Sequence, residues 1–325
     1  MISVVESTSV AFVVTVLVTF FVTKYFSEKF KEMGMTGLDV HKPSKPVTTE
    51  MGGLAILVGV AIGAVTFYLL EPQISLVFVA GLLTILLVGI VGVVDDLVSL
   101  KQRYKPFIVG AMSIPLMVAL FGQSTIKFPL VGSIPFGLLL PLFIIPLAIT
   151  TSANLSNMLA GFNGLEAGCT VIAIGALTVL SALLGRSVGF ALGSLFLAGY
   201  LGFLVLNWYP AKIFPGDTGT LMAGAAIATV GFASNLVFAA IVVSLPAAFD
   251  FTMKMLTRNP FSARKLFGDT VVTSEGILQP PNYPALTHAF MRITPMSEKD
   301  IVSSMLFMEA VYAVLAIGIT IAMLH

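Results

Sequence analysis

Four polar stretches interrupt an otherwise apolar chain, and their side chains are of kinds that bind or position charged groups. The first, Gly92-Val93-Val94-Asp95-Asp96-Leu97, ends an apolar run on two adjacent carboxylates. Acids at a membrane boundary are costly unless hydrated or paired, and neighbours on a helix point about 100° apart. Asp95 and Asp96 therefore cannot chelate one ion symmetrically. One can face a reacting group while the other takes a cation or a nearby lysine, and a plain acidic helix end in water is the competing reading. Directly after them, Lys101 and Lys105 stand four residues apart and share a face if helical. Bases beside acids suit a phosphate-bearing substrate, although the same lysines also serve as a topology signal.

The third stretch, Thr151 to Gly168, sets Asn154, Asn157 and Asn163 in an apolar chain. Buried amides require partners, and the i, i+3 spacing puts Asn154 and Asn157 on one helical face. Gly161, Gly164 and Gly168 let backbone approach a flat or anionic ligand. Hydrogen bonding between helices is the alternative use of these amides. The fourth, Asn207 to Thr220, presents Asp217 after the Pro215-Gly216 turn. An Asp at a helix start is commonly a cap. Together with the acid pair and the amide oxygens, however, it makes a hard-donor set suited to Mg²⁺ bound jointly with substrate phosphates. Of the histidines, His288 has Arg292 four residues on, whereas His41 and His325 look incidental. Glu309 is the one acid inside the last apolar run and is left unassigned. Cys169 is the single cysteine, which excludes an internal disulfide and a multi-cysteine metal site.

The elements that must position these residues are membrane spans. The 325 residues are 57% hydrophobic and only 10% charged, with a mean hydropathy of +1.02, which no globular interior could hide. At about 20 residues per span, the expectation is an all-α polytopic protein with ten spans. Their approximate limits are 8–26, 53–70, 74–94, 106–122, 136–153, 166–184, 188–206, 219–233, 235–252 and 302–323. Pro141 and Pro146 should kink the fifth, and only the turn at Gly231 to Asn235 separates the eighth from the ninth. The first run is too long and lacks the basic start of a removable signal, so a retained helix is expected. Fifteen of the seventeen Lys and Arg then fall on one face, with only Lys127 and Arg186 on the other. Positive loops stay in the cytoplasm, so the polar chemistry is expected there and both termini outside. One domain is expected, with a longer inner segment at about 253–300. The net charge of +1 argues against nucleic acid.

Taken in this order, the segments resemble the polyprenyl-phosphate N-acetylhexosamine-1-phosphate transferase superfamily, the glycosyltransferase family 4 type, over nearly the whole chain. The carriers are Lys42-Pro43 through Pro46, Gly52-Gly53, Asp95 to Lys105, Asn154 to Gly168, and Phe214-Pro215-Gly216-Asp217-Thr218. The run from Asn157 to Gly168 has Ala160 where bacterial branches usually carry Asp, and is similar to the eukaryotic and archaeal dolichyl-phosphate branch. The resemblance implies ten spans and a cytoplasmic Mg²⁺ site in which Asp217 and Asn157 match the metal ligands. Lys105 matches a pyrophosphate-binding lysine, Asn163 a uracil contact, and Asp95 with Asp96 the acidic pair near the reacting lipid phosphate. Lys42 and Asn154 join the expected substrate contacts. Of the family's late inner-loop cluster only His288 and Arg292 stand here.

The implied reaction transfers GlcNAc-1-phosphate from UDP-GlcNAc to a dolichyl-type polyprenyl phosphate, releasing UMP. Asp95, Asp96, Asp217 and His288 are the expected catalytic groups. A sibling reaction using undecaprenyl phosphate or UDP-MurNAc-peptide is the runner-up. A secondary transporter is a different class, but its polar residues would be expected near the membrane midplane. The partners expected are a UDP-sugar and a polyprenyl phosphate lipid in a plasma or ER-type membrane, with a homodimer left open.

Overall fold

The computed structural model describes residues 4–128, 131–159, 161–255 and 270–322. Ala160, the bases Arg258, Arg264 and Lys265, and the end of the last apolar run with His325 lie outside the described residues, as does 256–269 of the long inner segment. The chain runs through α1 (Val4–Glu32), a hairpin of β1 (Thr36–Leu38) and β2 (Val47–Thr49), then α2 (Gly53–Leu70) and α3 (Leu76–Val98). The short helices α4 (Lys105–Ala111) and α5 (Ile114–Ala119) lead to a second hairpin, β3 (Thr125–Phe128) with β4 (Gly132–Pro135). A π-helical turn at Leu140–Ile144 opens α6 (Ile145–Leu159), followed by α7 (Leu165–Leu183), α8 (Ser187–Asn207) and α9 (Gly216–Ala233). After α10 (Val237–Val243) and α11 (Leu245–Met255) come β5 (Val271–Val272), β6 (Ile277–Gln279), α12 (Leu286–Ile293), β7 (Met296–Ser297) and α13 (Glu298–Ala322). The strands β5, β6 and β7 form one antiparallel sheet.

Among the described residues, seven helices are long and apolar enough to cross a membrane, or eight if the bent pair α10 and α11 is one span. The protein is therefore a mostly helical polytopic membrane protein, but not purely α-helical as expected, because its loops fold into three small sheets. Each of the ten apolar runs contains helix, yet three depart from a simple span. Residues 105–119 stay below span length even with α4 and α5 counted as one helix, and that helix is also broken between them. Pro115 has no N–H to continue the ladder, and the Ser113 hydroxyl turns back to the Gly110 carbonyl at 2.6 Å. The eighth run, α9, is too polar at its start to qualify, and every residue from Thr218 to Phe232 is buried. It is the central helix, packed against α2, α3, α6, α7, α8 and α10, so its threonines face protein and not lipid. The ninth run bends by 55° between α10 and α11, where Ser244 bonds the Ala240 carbonyl at 2.8 Å and Pro246 follows. The kink expected at Pro141 and Pro146 takes the form of the π turn.

Close approach between helices centres on α9. A Cβ on Gly92 of α3 would lie 2.4 Å from Thr218 Cα, and one on Gly53 of α2 would lie 2.1 Å from the Gly219 nitrogen. Both helices thus lock to the first turn of α9 through missing side chains. The β1–β2 hairpin is tied to the same place, since Phe214 donates to the Thr49 carbonyl at 2.7 Å and Gly52 donates to the Phe214 carbonyl at 2.8 Å. The Tyr200 hydroxyl on α8 donates to the Gly219 carbonyl at 2.6 Å.

Candidate active site

The C-terminus of α3, the start of α4, the end of α6 and the start of α9 meet at one end of the bundle. Lys105 is 1% exposed and bridges two of them, its Nζ lying 2.6 Å from Asp95 Oδ2 and 3.2 Å from Asp217 Oδ2. Asp95 is held in turn by the Leu100 N–H at 2.6 Å. Asn157 donates its amide to the other oxygen of Asp217 and to Thr220 Oγ1, the latter at 2.8 Å. Asp96 points the other way from Asp95, as the helical offset requires, and receives the first N–H groups of α9. Its Oδ1 accepts from Asp217 N at 2.7 Å, and its Oδ2 accepts from Thr218 N at 3.1 Å and Thr218 Oγ1 at 2.6 Å. These donors have no partner within their own helix, and the helix dipole favours a carboxylate there. Gly216 makes the turn with φ +66, and a Cβ there would meet Asp96 Oδ2 at 2.7 Å.

A cavity of about 720 Å³ opens beside this cluster, with Asp96, Asn154, Asn157, Asp217 and Thr220 among its lining residues. The i, i+3 pair Asn154 and Asn157 does share a face of α6, as the spacing predicts. Asn154 also donates to the Thr150 carbonyl at 2.8 Å. Glu50, which precedes α2, lines the cavity as well, and its carboxyl is raised above its ordinary value by partial burial, then by the nearby Asp96 and Asp217 charges. Asp217 and the amide oxygen of Asn157 are hard-oxygen donors of the kind that Mg²⁺ takes, and Asp96, Glu50 and Thr220 line the same cavity, although among the described residues the three acids do not converge into one close cluster.

Lys42 and Asn163, expected to contact substrate, do not line this cavity and are placed together in a second buried cluster. Lys42 pairs with Asp39, with Glu298 Oε2 at 3.1 Å and with Asn163 Oδ1 at 2.7 Å. Asn163 donates its amide to Asp39 at 3.1 Å and its backbone N–H to Glu298 at 2.8 Å, and its oxygen also accepts from Ala211 N at 2.7 Å. This network joins the β1–β2 loop, the α6–α7 loop and the start of α13. Asp39, His41 and Glu298 could hold a metal, but the Lys42 ammonium already supplies the cation between the two acids. His41 stacks on Phe162 with ring centres 4.2 Å apart, and both rings line the main cavity.

His288 and Arg292 lie apart from that lining, on α12. His288 Nδ1 is 3.1 Å from the Tyr283 carbonyl, and Arg292 donates to the Pro281 and Tyr283 carbonyls at 2.8 and 3.1 Å. Burial pushes the His288 imidazole below its ordinary value; the Tyr283 carbonyl opposes that shift and the Lys254 charge adds to it. Next to it, Lys254 Nζ lies 2.5 Å from Asp250 and donates to the Met158 carbonyl at 2.7 Å, linking α11 to the end of α6. Sequence reading missed Glu50, Asp39, Thr220 and Glu298. Glu50 and Asp39 flank recognised motif residues, whereas a threonine and a helix-start acid carry no distinguishing local signal.

A family model described as glycosyl transferase family 4 matches residues 77–235, which include Asp95 through Asp217. A Sulfolobus acidocaldarius protein with the provisional name UDP-N-acetylglucosamine–dolichyl-phosphate N-acetylglucosaminephosphotransferase is 35% identical, over 94% of this chain and 94% of its own. A Saccharolobus solfataricus protein of the same provisional name is 33% identical over 94% and 96%. The phospho-N-acetylmuramoyl-pentapeptide-transferase of Shouchella clausii is 33% identical over 61% of this chain and 65% of its own. With the motifs in family order and an archaeal relative matching almost end to end, the chain belongs to glycosyl transferase family 4.

Proposed function

We propose that the protein transfers GlcNAc-1-phosphate from UDP-GlcNAc to a dolichyl-type polyprenyl phosphate, giving lipid-diphospho-GlcNAc and UMP. The observation that carries this reading is the meeting of Asp217, Asn157 and Lys105, from three separate helices, beside a cavity of about 720 Å³. A lipid phosphate oxygen attacks the β-phosphorus, and the bond from that phosphorus to the bridging oxygen of UMP breaks. Two anions must be brought together, so catalysis consists mainly of charge neutralisation and in-line positioning. Asp217 with Asn157 would hold a Mg²⁺ ion, which supplies that neutralisation at the diphosphate. Lys105 adds a fixed positive charge, and Asp95, committed to Lys105 at 2.6 Å, acts as a positioning residue for it. Asp96 fixes the first turn of α9 and so the direction of Asp217. No proton has to be removed from a phosphate that is already ionised.

The bundle end bearing this cluster is proposed to face the cytoplasm, with both chain ends outside. In that arrangement the seven long helices, the bent pair, the broken 105–119 segment and buried α9 make ten passes. The archaeal relatives named for dolichyl phosphate are 35% and 33% identical over 94% of the chain, and a Bacillus subtilis relative named for undecaprenyl phosphate is 28% identical over 78%, which favours the dolichyl acceptor. The test is incubation of the purified protein with Mg²⁺, dolichyl phosphate and a mixture of UDP-sugars, followed by mass spectrometry of the lipid. A single lipid-diphospho-GlcNAc product is expected, and UMP added to that product should regenerate UDP-GlcNAc. Failure of the reverse exchange would count against direct transfer.

A further inference from the structure

Glu298 opens α13, is 3% exposed, and gives each of its carboxylate oxygens to a different loop. Oε1 accepts the Asn163 backbone N–H of the α6–α7 loop at 2.8 Å, and Oε2 accepts from Lys42 of the β1–β2 loop at 3.1 Å. The Asn163 side chain carries the same hold to a third loop, because its oxygen accepts from Ala211 N, between α8 and α9, at 2.7 Å. Tyr209 of that loop also packs against Lys42, whose Nζ is 4.6 Å from the ring centre. Each of these loops supplies wall to the cavity of about 720 Å³: Val40 with His41, Gly161 with Phe162, and Phe214 with Pro215. No residue of α13 is among the cavity's described lining residues.

Helix α13 thus shapes a cavity whose wall it does not join. Loops between spans lie outside the hydrocarbon layer, so what they contact arrives from water. A lipid's chain must instead be met by helix faces, such as those bearing Pro106, Leu155 and Phe251 on another part of the wall. We propose that Glu298 is a positioning residue for the nucleotide donor, holding the three loops at the spacing the donor needs. This inference rests on the transferase reading. Asp217 and Lys105 are fixed independently, by Asp96 and Asp95 of α3, so loosening the loops weakens donor binding and leaves the reacting end in place. The charges of the network also tolerate the loss. It buries two carboxylates and one ammonium, so removing Glu298 leaves Lys42 paired with Asp39, whereas removing Lys42 would strand both acids.

The test uses the full chain, with calorimetric titration of UDP and initial rates at varied UDP-GlcNAc and at varied dolichyl phosphate. Glu298→Gln keeps an acceptor for the Asn163 N–H and loses the tie to Lys42, while Glu298→Ala loses both. In Glu298→Gln, UDP affinity should fall and the KM for UDP-GlcNAc should rise by roughly 3–10-fold, and both should change further in Glu298→Ala. The kcat and the KM for dolichyl phosphate should stay within about twofold of wild type, which is the pattern of lost donor binding. If Glu298→Ala fails to fold, Glu298→Gln decides the question alone. Unchanged UDP affinity in the variants of an active wild type overturns the proposal. So does a fall in kcat as large as the loss of donor binding, which marks a general loosening of the fold. A wild type that neither binds UDP nor turns over overturns the transferase reading, and this inference with it.

Discussion

Lys105 is buried with its charge shared between Asp95 and Asp217, so removing Asp217 and removing Lys105 have different consequences. Removing Asp217 leaves Lys105 paired to Asp95, and the fold keeps its buried ion pair. Asp217→Ala should therefore lower turnover by at least about 10²–10³-fold while the protein still purifies folded; ordinary turnover would remove Asp217 from the reaction. Removing Lys105 instead strands the Asp95 carboxylate, whose side chain is fully enclosed. Lys105→Ala should cost about 3–5 kcal/mol of stability in addition to nucleotide affinity, and an unchanged unfolding midpoint with unchanged affinity would contradict the bridge. His288 makes a separate prediction with a definite sign. Its folded form resists protonation because it is buried, while the unfolded chain takes up a proton at the ordinary value of 6.5. The unfolded state thus binds more protons as pH falls below about 6.5, and stability declines there. His288→Gln should flatten that part of the stability-against-pH curve and leave the region above pH 7 level; an unaltered acid limb would refute the assignment.

At the scale of elements, α9 is the part on which the site is built. Its first turn is gripped by Gly92 of α3 and Gly53 of α2, and its opening N–H groups are held by Asp96. Gly92→Ala inserts a methyl group where Thr218 Cα already lies, so α3 and α9 must part. That should destabilise the protein by about 1–3 kcal/mol and lower turnover by misplacing Asp217, read from unfolding midpoints and initial rates. Normal activity would show that the helix contact is slack. The long helices were legible in the sequence because lipid demands continuous apolar runs, and α2 at Gly53–Leu70 coincides with its expected limits. The departures have separate origins. The fourth run stops as helix at Ala119, where the chain turns toward the β3–β4 hairpin, and the polarity of α9 is tolerated only because other helices surround it. The second fact is not local in sequence. The same holds for the site: the acids and amides were readable by type, and the adjacency of Asn157 to Asp217 was expected. The capture of Asn163 by Asp39, and of Lys42 and Asn163 by Glu298, needed contacts across more than a hundred residues.

For the whole molecule, the distribution of charge and the position of the cavity point to the same end. The described basic residues near the candidate site include Lys42, Lys105 and Lys254, while the β3–β4 hairpin, which carries Lys127, follows α5 at the far end of its helical pair. Positive residues are retained in the cytoplasm, and the proposed nucleotide substrate would be met there, so both considerations favour the proposed orientation. The chain's single cysteine, Cys169, is buried in α7, which gives a low background for thiol labelling of the folded protein. Ser44, in the β1–β2 loop, and Ser133, in β4, are both exposed and uncharged, so replacing either preserves the charge balance that sets topology. A membrane-impermeant maleimide applied to sealed vesicles of cytoplasmic-side-out orientation should label Ser44→Cys and spare Ser133→Cys. Vesicles of the opposite orientation should give the reverse. Labelling of both positions from one side would mean that the chain between them crosses the membrane an even number of times. In that case α2, α3, the 105–119 segment and the helices around them could not supply the alternating passes that bring Asp95, Asn157 and Asp217 to a single face.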